Sequence, residues 1–164
     1  MSTGGSIITE IPVIINDEKK VLNAKPNEIL LDVLRREGYF GVKRGCSEGN
    51  CGSCTVLFNG TPRKTCIMFV GQVKDKEIFT VEGLGTRENP HPVQKTYATN
   101  GAAQCGFCIP GQIVSAVALL EKNPNPSVDE IKSALDGNIC RCTGYVKQIE
   151  AIQQAAKIIQ EGKK

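Results

Sequence analysis

The sequence predicts an α+β chain in two successive parts: a small sheet-and-helix domain over residues 10–85, then a bundle of four helices over residues 90–162. Three observations predict it. Short strand-like runs joined by turn residues fill the first half, with one helical stretch among them. Apolar residues recur at helical spacing through the second half, broken by proline and capping signals. Eight cysteines divide into two sets of four, one set in each half, with a gap of 38 residues between Cys66 and Cys105.

The elements follow in order. Residues 1 to about 9 read as a loose tail. Residues 12–15 and 20–23 read as a hairpin around Asp17-Glu18. Asn27 is placed to cap a helix running to Arg36, with Leu30, Val33 and Leu34 on one face and Gly38 near its end. A glycine-rich stretch, RGCSEGNCGSC, carries Cys46, Cys51 and Cys54. Asn59-Gly60 then sits between two strand-like runs, a strong signal for a two-residue turn. Pairing 58 with 61 sets 54 opposite 65, so Cys66 is one residue from facing Cys54, and a bulge would close the gap. Residues 77–81 read as a last strand. Hairpin, helix, loop, hairpin and strand together suggest a β-grasp, ferredoxin-like domain, although periodicity alone does not fix that topology.

Residues 88–92, ENPHP, read as a linker. His91, the single histidine, is expected to be exposed and is given no role. Helices are predicted over 93–99, from Pro110 to about Glu121, from the capping box SVDE at 127–130 to Leu135, and over 145–160. Ile113, Val114, Val117 and Leu120 form one apolar stripe; Val146, Ile149, Ile152, Ala156 and Ile159 form another.

Composition excludes several functions. The formal net charge of +3 is too weak to argue for nucleic acid or an anionic membrane. The first residues show no export signal, and no run approaches the ~20 apolar residues of a membrane span. A cytoplasmic protein is expected. The Gly83-Leu84-Gly85 turn lacks the third glycine and the βαβ unit of a dinucleotide fingerprint. No nucleophile–base pair, phosphate loop or recognisable carboxylate pair is present, so no catalytic residue is assigned.

The cysteines carry the chemistry. Closely spaced thiols in a reducing compartment are more often metal ligands than disulfides. The first set reads C-x4-C-x2-C-x11-C, and its leading part is the plant-type spacing for a 2Fe–2S cluster. Such a cluster with its thiolates is anionic, so backbone N–H groups must turn toward it; Gly45, Gly49 and Gly52 are expected to take positive φ for that purpose. The second set reads C-x2-C-x31-C-x-C, and each pair precedes a helix whose N-terminus favours bound thiolate. A thioredoxin-like redox pair is set aside, because no βαβ pattern surrounds Cys105 and Cys108 and two further cysteines need a role.

QCGFCIPG followed by NICRCTGY, after GCSEGNCGSCTV and a fourth cysteine, resembles the small iron–sulfur subunit of the molybdenum hydroxylases. These are the xanthine dehydrogenase, aldehyde oxidoreductase, nicotinate dehydrogenase and carbon monoxide dehydrogenase relatives. The resemblance spans about residues 10 to 160 and all eight cysteines. It implies one 2Fe–2S cluster on Cys46, Cys51, Cys54 and Cys66, and a second on Cys105, Cys108, Cys140 and Cys142. It implies a large partner subunit holding a molybdenum–pterin cofactor and a medium partner holding FAD, with Gln104 and Cys142 contacting the pterin. The implied function is electron relay between them. Two other readings remain at this level: a free two-cluster ferredoxin, and a structural protein with two zinc sites of four cysteines each.

Overall fold

A computed structural model describes residues 7–162. The expected tail falls mostly outside the described residues, but its last member, Thr9, already belongs to a strand. β1 (Thr9–Ile15) and β2 (Glu18–Ala24) pair antiparallel with Ile15 opposite Glu18. The turn is therefore Asn16-Asp17, one residue earlier than predicted. Both residues have positive φ, which Asn and Asp tolerate better than most.

The helix α1 (Leu30–Arg36) begins three residues after the expected cap. Its N-cap is Ile29, with no side-chain bond, and Asn27 caps nothing. The cause is tertiary: Ile29 bridges to Phe69, and the Leu30 N–H donates to the Met68 carbonyl at 2.8 Å. These bonds hold Ile29 extended, while Asn27 sits in the preceding turn, which the Glu28 N–H closes on the Lys25 carbonyl at 2.8 Å. Leu30, Leu31, Val33 and Leu34 are then all buried against Ile11, Val13, Ile15, Leu22 and Ile78.

β3 (Thr55–Phe58) and β4 (Thr61–Lys64) form the hairpin around Asn59-Gly60, in the predicted register. β5 (Glu77–Phe79) is shorter than predicted, because residues 81–83 turn into a 3-10 helix. It inserts between β1 and β3, parallel to the first and antiparallel to the second. The sheet order is β2-β1-β5-β3-β4, a mixed sheet with α1 on one face.

Four helices follow: α2 (Pro92–Thr99), α3 (Ile109–Lys122), α4 (Val128–Leu135) and α5 (Val146–Glu161). Ser127 caps α4 as expected, with Ser127 N–H donating to Glu130 Oε2 at 2.7 Å. His91 corrects the sequence reading. It is half-buried and is the N-cap of α2, its Nδ1 accepting from the Val93 N–H at 3.2 Å. Val146 is a second correction: it is 61% exposed, while Ile152 and Ala156 of the same stripe are buried. Tyr145, with φ of 70°, is the cap of α5 and sets the phase that turns Val146 outward.

α3 is buried on more than the predicted stripe. Residues 111–118 are buried without a break. One side packs on the other helices; the other, Val114 and Ala118, packs with Leu57 and Phe79 of the sheet. This helix joins the two halves. Among the described residues, no helix is long and apolar enough to cross a membrane.

Candidate metal centres

The first set of thiols converges on one loop. Cys46 Sγ accepts from the N–H groups of Glu48, Asn50 and Cys51 at 3.4, 3.3 and 3.4 Å. These bonds pull its thiol down to about 6, the Cys51 N–H first among them. Gly49 and Gly52 have positive φ, as predicted. Gly45 does not; Ser47, at 62°, makes that turn instead. Gly45 is needed for closeness, since a Cβ there would lie 2.5 Å from Cys51 Sγ.

The fourth thiol arrives by a different device from the predicted bulge. β4 ends at Lys64, and residues 65–67 form a 3-10 turn that swings Cys66 back. Thr65 anchors it, its N–H and Oγ1 both donating to the Cys54 carbonyl at 3.3 and 2.9 Å. Cys54 and Cys66 are buried with their thiols side by side. Burial first, then this neighbour, pushes Cys66 up to about 11.

The second set lies between two loops. Cys108 caps α3, with Pro110 in its first turn as predicted. Cys142 and Cys105 are 3.6 Å apart, and Cys108 faces Cys140. Burial drives Cys108 up to about 12. Burial also acts to raise Cys140, but bonds from Thr143 Oγ1 and the N–H groups of Cys142 and Thr143 outweigh it, and its thiol is lowered.

Side chains absent from the sequence reading hold this second loop. Tyr145 Oη accepts from the Cys140 N–H at 2.7 Å and donates to the Asn138 carbonyl at 3.2 Å. Gln148 Nε2, fully buried, donates to Ala102 O and Thr143 Oγ1 at 2.8 and 2.7 Å. Its position carried a signal, for it stands four residues before Ile152 and is a polar residue on an apolar face. Asn138, turned so that its oxygen accepts from Ser115 Oγ at 2.9 Å, donates to the carbonyls of Gly111 and Gly52 at 3.2 and 3.3 Å. Gln104 is exposed.

The donor sets fit 2Fe–2S clusters. The sulfurs come in pairs, 46 with 51, 54 with 66, 105 with 142 and 108 with 140. Two pairs suit two irons, each taking two thiolates. A single zinc ion would instead gather all four ligands around one point. Burial opposes a bare thiolate at Cys66 and Cys108, so each would ionise there only against a bound cation.

Comparison with known proteins agrees. Residues 13–96 match the family model of the 2Fe-2S iron-sulfur cluster binding domain, and residues 80–153 that of the [2Fe-2S] binding domain. The chain is 47% identical over 144 residues to the nicotinate dehydrogenase small FeS subunit of Eubacterium barkeri, covering 87% of this chain and 92% of that one. This chain belongs to the small 2Fe–2S subunit family of the molybdenum hydroxylases. It carries two 2Fe–2S binding domains. It is 42% identical to the aldehyde oxidoreductase of Megalodesulfovibrio gigas, covering 93% of this chain but 17% of that longer protein. The crystal structure of quinoline 2-oxidoreductase from Pseudomonas putida 86 superposes with a TM-score of 0.89 at 39% identity, covering 94% of this chain and 98% of the matched one.

Proposed function

We propose that this subunit relays electrons from a large molybdenum–pterin subunit, which oxidises the substrate, to a medium flavin subunit or another acceptor. The domain of residues 10–85 would hold one cluster on Cys46, Cys51, Cys54 and Cys66. The domain of residues 90–162 would hold the other on Cys105, Cys108, Cys140 and Cys142. When bound, each cluster supplies one-electron chemistry at iron. The protein sets its potential through burial and bonds to sulfur.

One observation carries the relay. The Cys51 carbonyl accepts from the Ile139 N–H at 2.9 Å, and Ile139 adjoins Cys140. A thiol of the first set is thus linked to a thiol of the second through backbone bonds and a single hydrogen bond. A protein with two unrelated structural metal sites has no use for that link.

The surface supports the order of docking. Around the second set, Cys105, Cys142 and Gln104 are exposed beside Phe107, Ile139 and Val146, which are exposed apolar residues. That face suits a large covering subunit, with Gln104 and Cys142 directed to the pterin. Ile67, next to Cys66 and 63% exposed, would suit a contact with the flavin subunit. The test is the native complex. It should contain a molybdenum subunit, about four iron and about four acid-labile sulfide per small subunit, and both clusters should be reduced on adding substrate. Recovery of the chain alone, or with zinc and no visible absorption, would reject the reading.

A further inference from the structure

Lys43 touches the middle of both C-x2-C turns. Its backbone N–H donates to the carbonyl of Ser53, between Cys51 and Cys54, at 3.0 Å. Its Nζ donates to the carbonyl of Gly106, between Cys105 and Cys108, at 3.1 Å. The ammonium also lies 5.3 Å from the centre of the Phe107 ring. The residue is half-buried, and among the described residues none of the ion pairs uses it. The two neighbouring cations are occupied: Arg35 donates to the carbonyls of Phe40 and Val42, and Arg44 pairs with Asp32. Lys43 therefore presents an uncompensated positive charge to the second ligand loop from the first half of the chain.

The target of that charge is one peptide unit. The Gly106 carbonyl faces Lys43, and the N–H of the same peptide belongs to Phe107. That peptide lies inside the turn between Cys105 and Cys108. A cation held on its carbonyl fixes the orientation of the turn and places a positive charge beside it. That charge stabilises the reduced state, because reduction adds one negative charge to the group that the two thiols would hold.

We propose that Lys43 is a positioning residue that raises the reduction potential of the second cluster, by holding the Gly106–Phe107 peptide and its own positive charge against the turn between Cys105 and Cys108. A higher potential makes the second cluster a better acceptor for the electron arriving at it and narrows the driving force for the next step to the first cluster, so the balance between the two steps depends on a contact between the two halves. It rests on Cys105, Cys108, Cys140 and Cys142 being one ligand set, as proposed above.

The experiment is a dithionite titration of each cluster, followed by its paramagnetic signal, in purified protein carrying Lys43→Met, Lys43→Gln or Lys43→Arg. Each cluster takes one electron from dithionite, and no bond is made or broken. Lys43→Met should keep both clusters and lower the equilibrium constant for reducing the second about tenfold, which is about 59 mV for one electron. The first cluster should move less. Lys43→Gln keeps a donor without the charge and should shift the same way; it carries the test if Lys43→Met loads iron poorly. Lys43→Arg should restore most of the potential. An unchanged second potential in Lys43→Gln, or an equal loss in Lys43→Arg, overturns the proposal. A wrong ligand set would show itself separately, as the lack of two distinct signals in the unsubstituted protein.

Discussion

The carbonyl oxygen of Gly52 sits against the Cα of Gly111, so closely that a Cβ at Gly111 would overlap it. Gly52 lies between Cys51 and Cys54, and Gly111 lies in the first turn of α3, behind Cys108. The cluster loop of one half is thus seated on the helix that opens behind the other. Asn138 bridges the carbonyls of Gly52 and Gly111 from the side. Gly111→Ala must push the halves apart. The expected cost is about 1–3 kcal/mol, typical of overpacking. Denaturant unfolding should show it, together with slower electron exchange between the clusters. Unchanged stability would mean that the junction is loose.

Cys66→Ser tests the grouping of the thiols. Cys66 is buried beside Cys54 and reaches no thiol of the second set. The variant should lose or alter one paramagnetic signal and keep the other. Loss of both signals in folded protein would mean that the ligands are grouped wrongly.

The spacing of the cysteines makes the two 2Fe–2S binding domains legible in the sequence, because C-x4-C-x2-C, C-x2-C and C-x-C are short local patterns. So is the β3–β4 register, which Asn59-Gly60 sets locally. What stays hidden depends on long-range packing. Ile29 displaces Asn27 as the start of α1 because of a bridge to Phe69, forty residues away by the sequence numbering. α3 has a second buried side because a sheet from the other half covers it. Lys43 is a surface-like residue next to a motif, and only the fold brings Gly106 to its ammonium.

Gln104→Ala tests the partner-facing side. Gln104 is exposed, and its amide can both donate and accept. The variant should assemble both clusters normally. Their reduction by substrate in the complex should slow, or docking of the large subunit should weaken. Normal rates and normal assembly would return Gln104 to an ordinary surface amide.

His91 gives the fold a pH dependence. Burial holds its ring below the ordinary histidine value, and the neutral ring accepts the Val93 N–H. Protonation removes that acceptor. With a depressed folded value, the unfolded chain binds the proton more readily, so stability rises with pH across the window. The contribution is complete above the unfolded value of about 6.5. It is lost as pH falls below that and through the folded value. His91→Asn keeps a capping acceptor that does not titrate. Between about pH 7.5 and pH 5.5, spanning the ordinary histidine value, the unsubstituted protein should lose more stability than the variant in denaturant unfolding. Equal losses would remove His91 as the cause.

Cys51→Ala tests the direction of electron flow. The exposed residues that suit the pterin contact, Gln104 and Cys142, belong to the second half, so its cluster should receive electrons first. The first half should pass them toward the flavin. Substrate oxidation releases electrons as a pair, while each cluster takes one at a time. Each electron of the pair must therefore pass through both clusters in turn to reach the flavin. Removing the Cys51 thiol would take a proposed ligand from the first cluster but keep the backbone carbonyl that bonds Ile139, so the junction between the halves stays closed. After rapid mixing of the complex with substrate, the cluster on Cys105, Cys108, Cys140 and Cys142 should still be reduced quickly. Flavin reduction and turnover with the terminal acceptor should collapse. Rapid-freeze spectroscopy reads both in one experiment. A flavin reduced at the normal rate while the remaining cluster stays oxidised would overturn the proposed order.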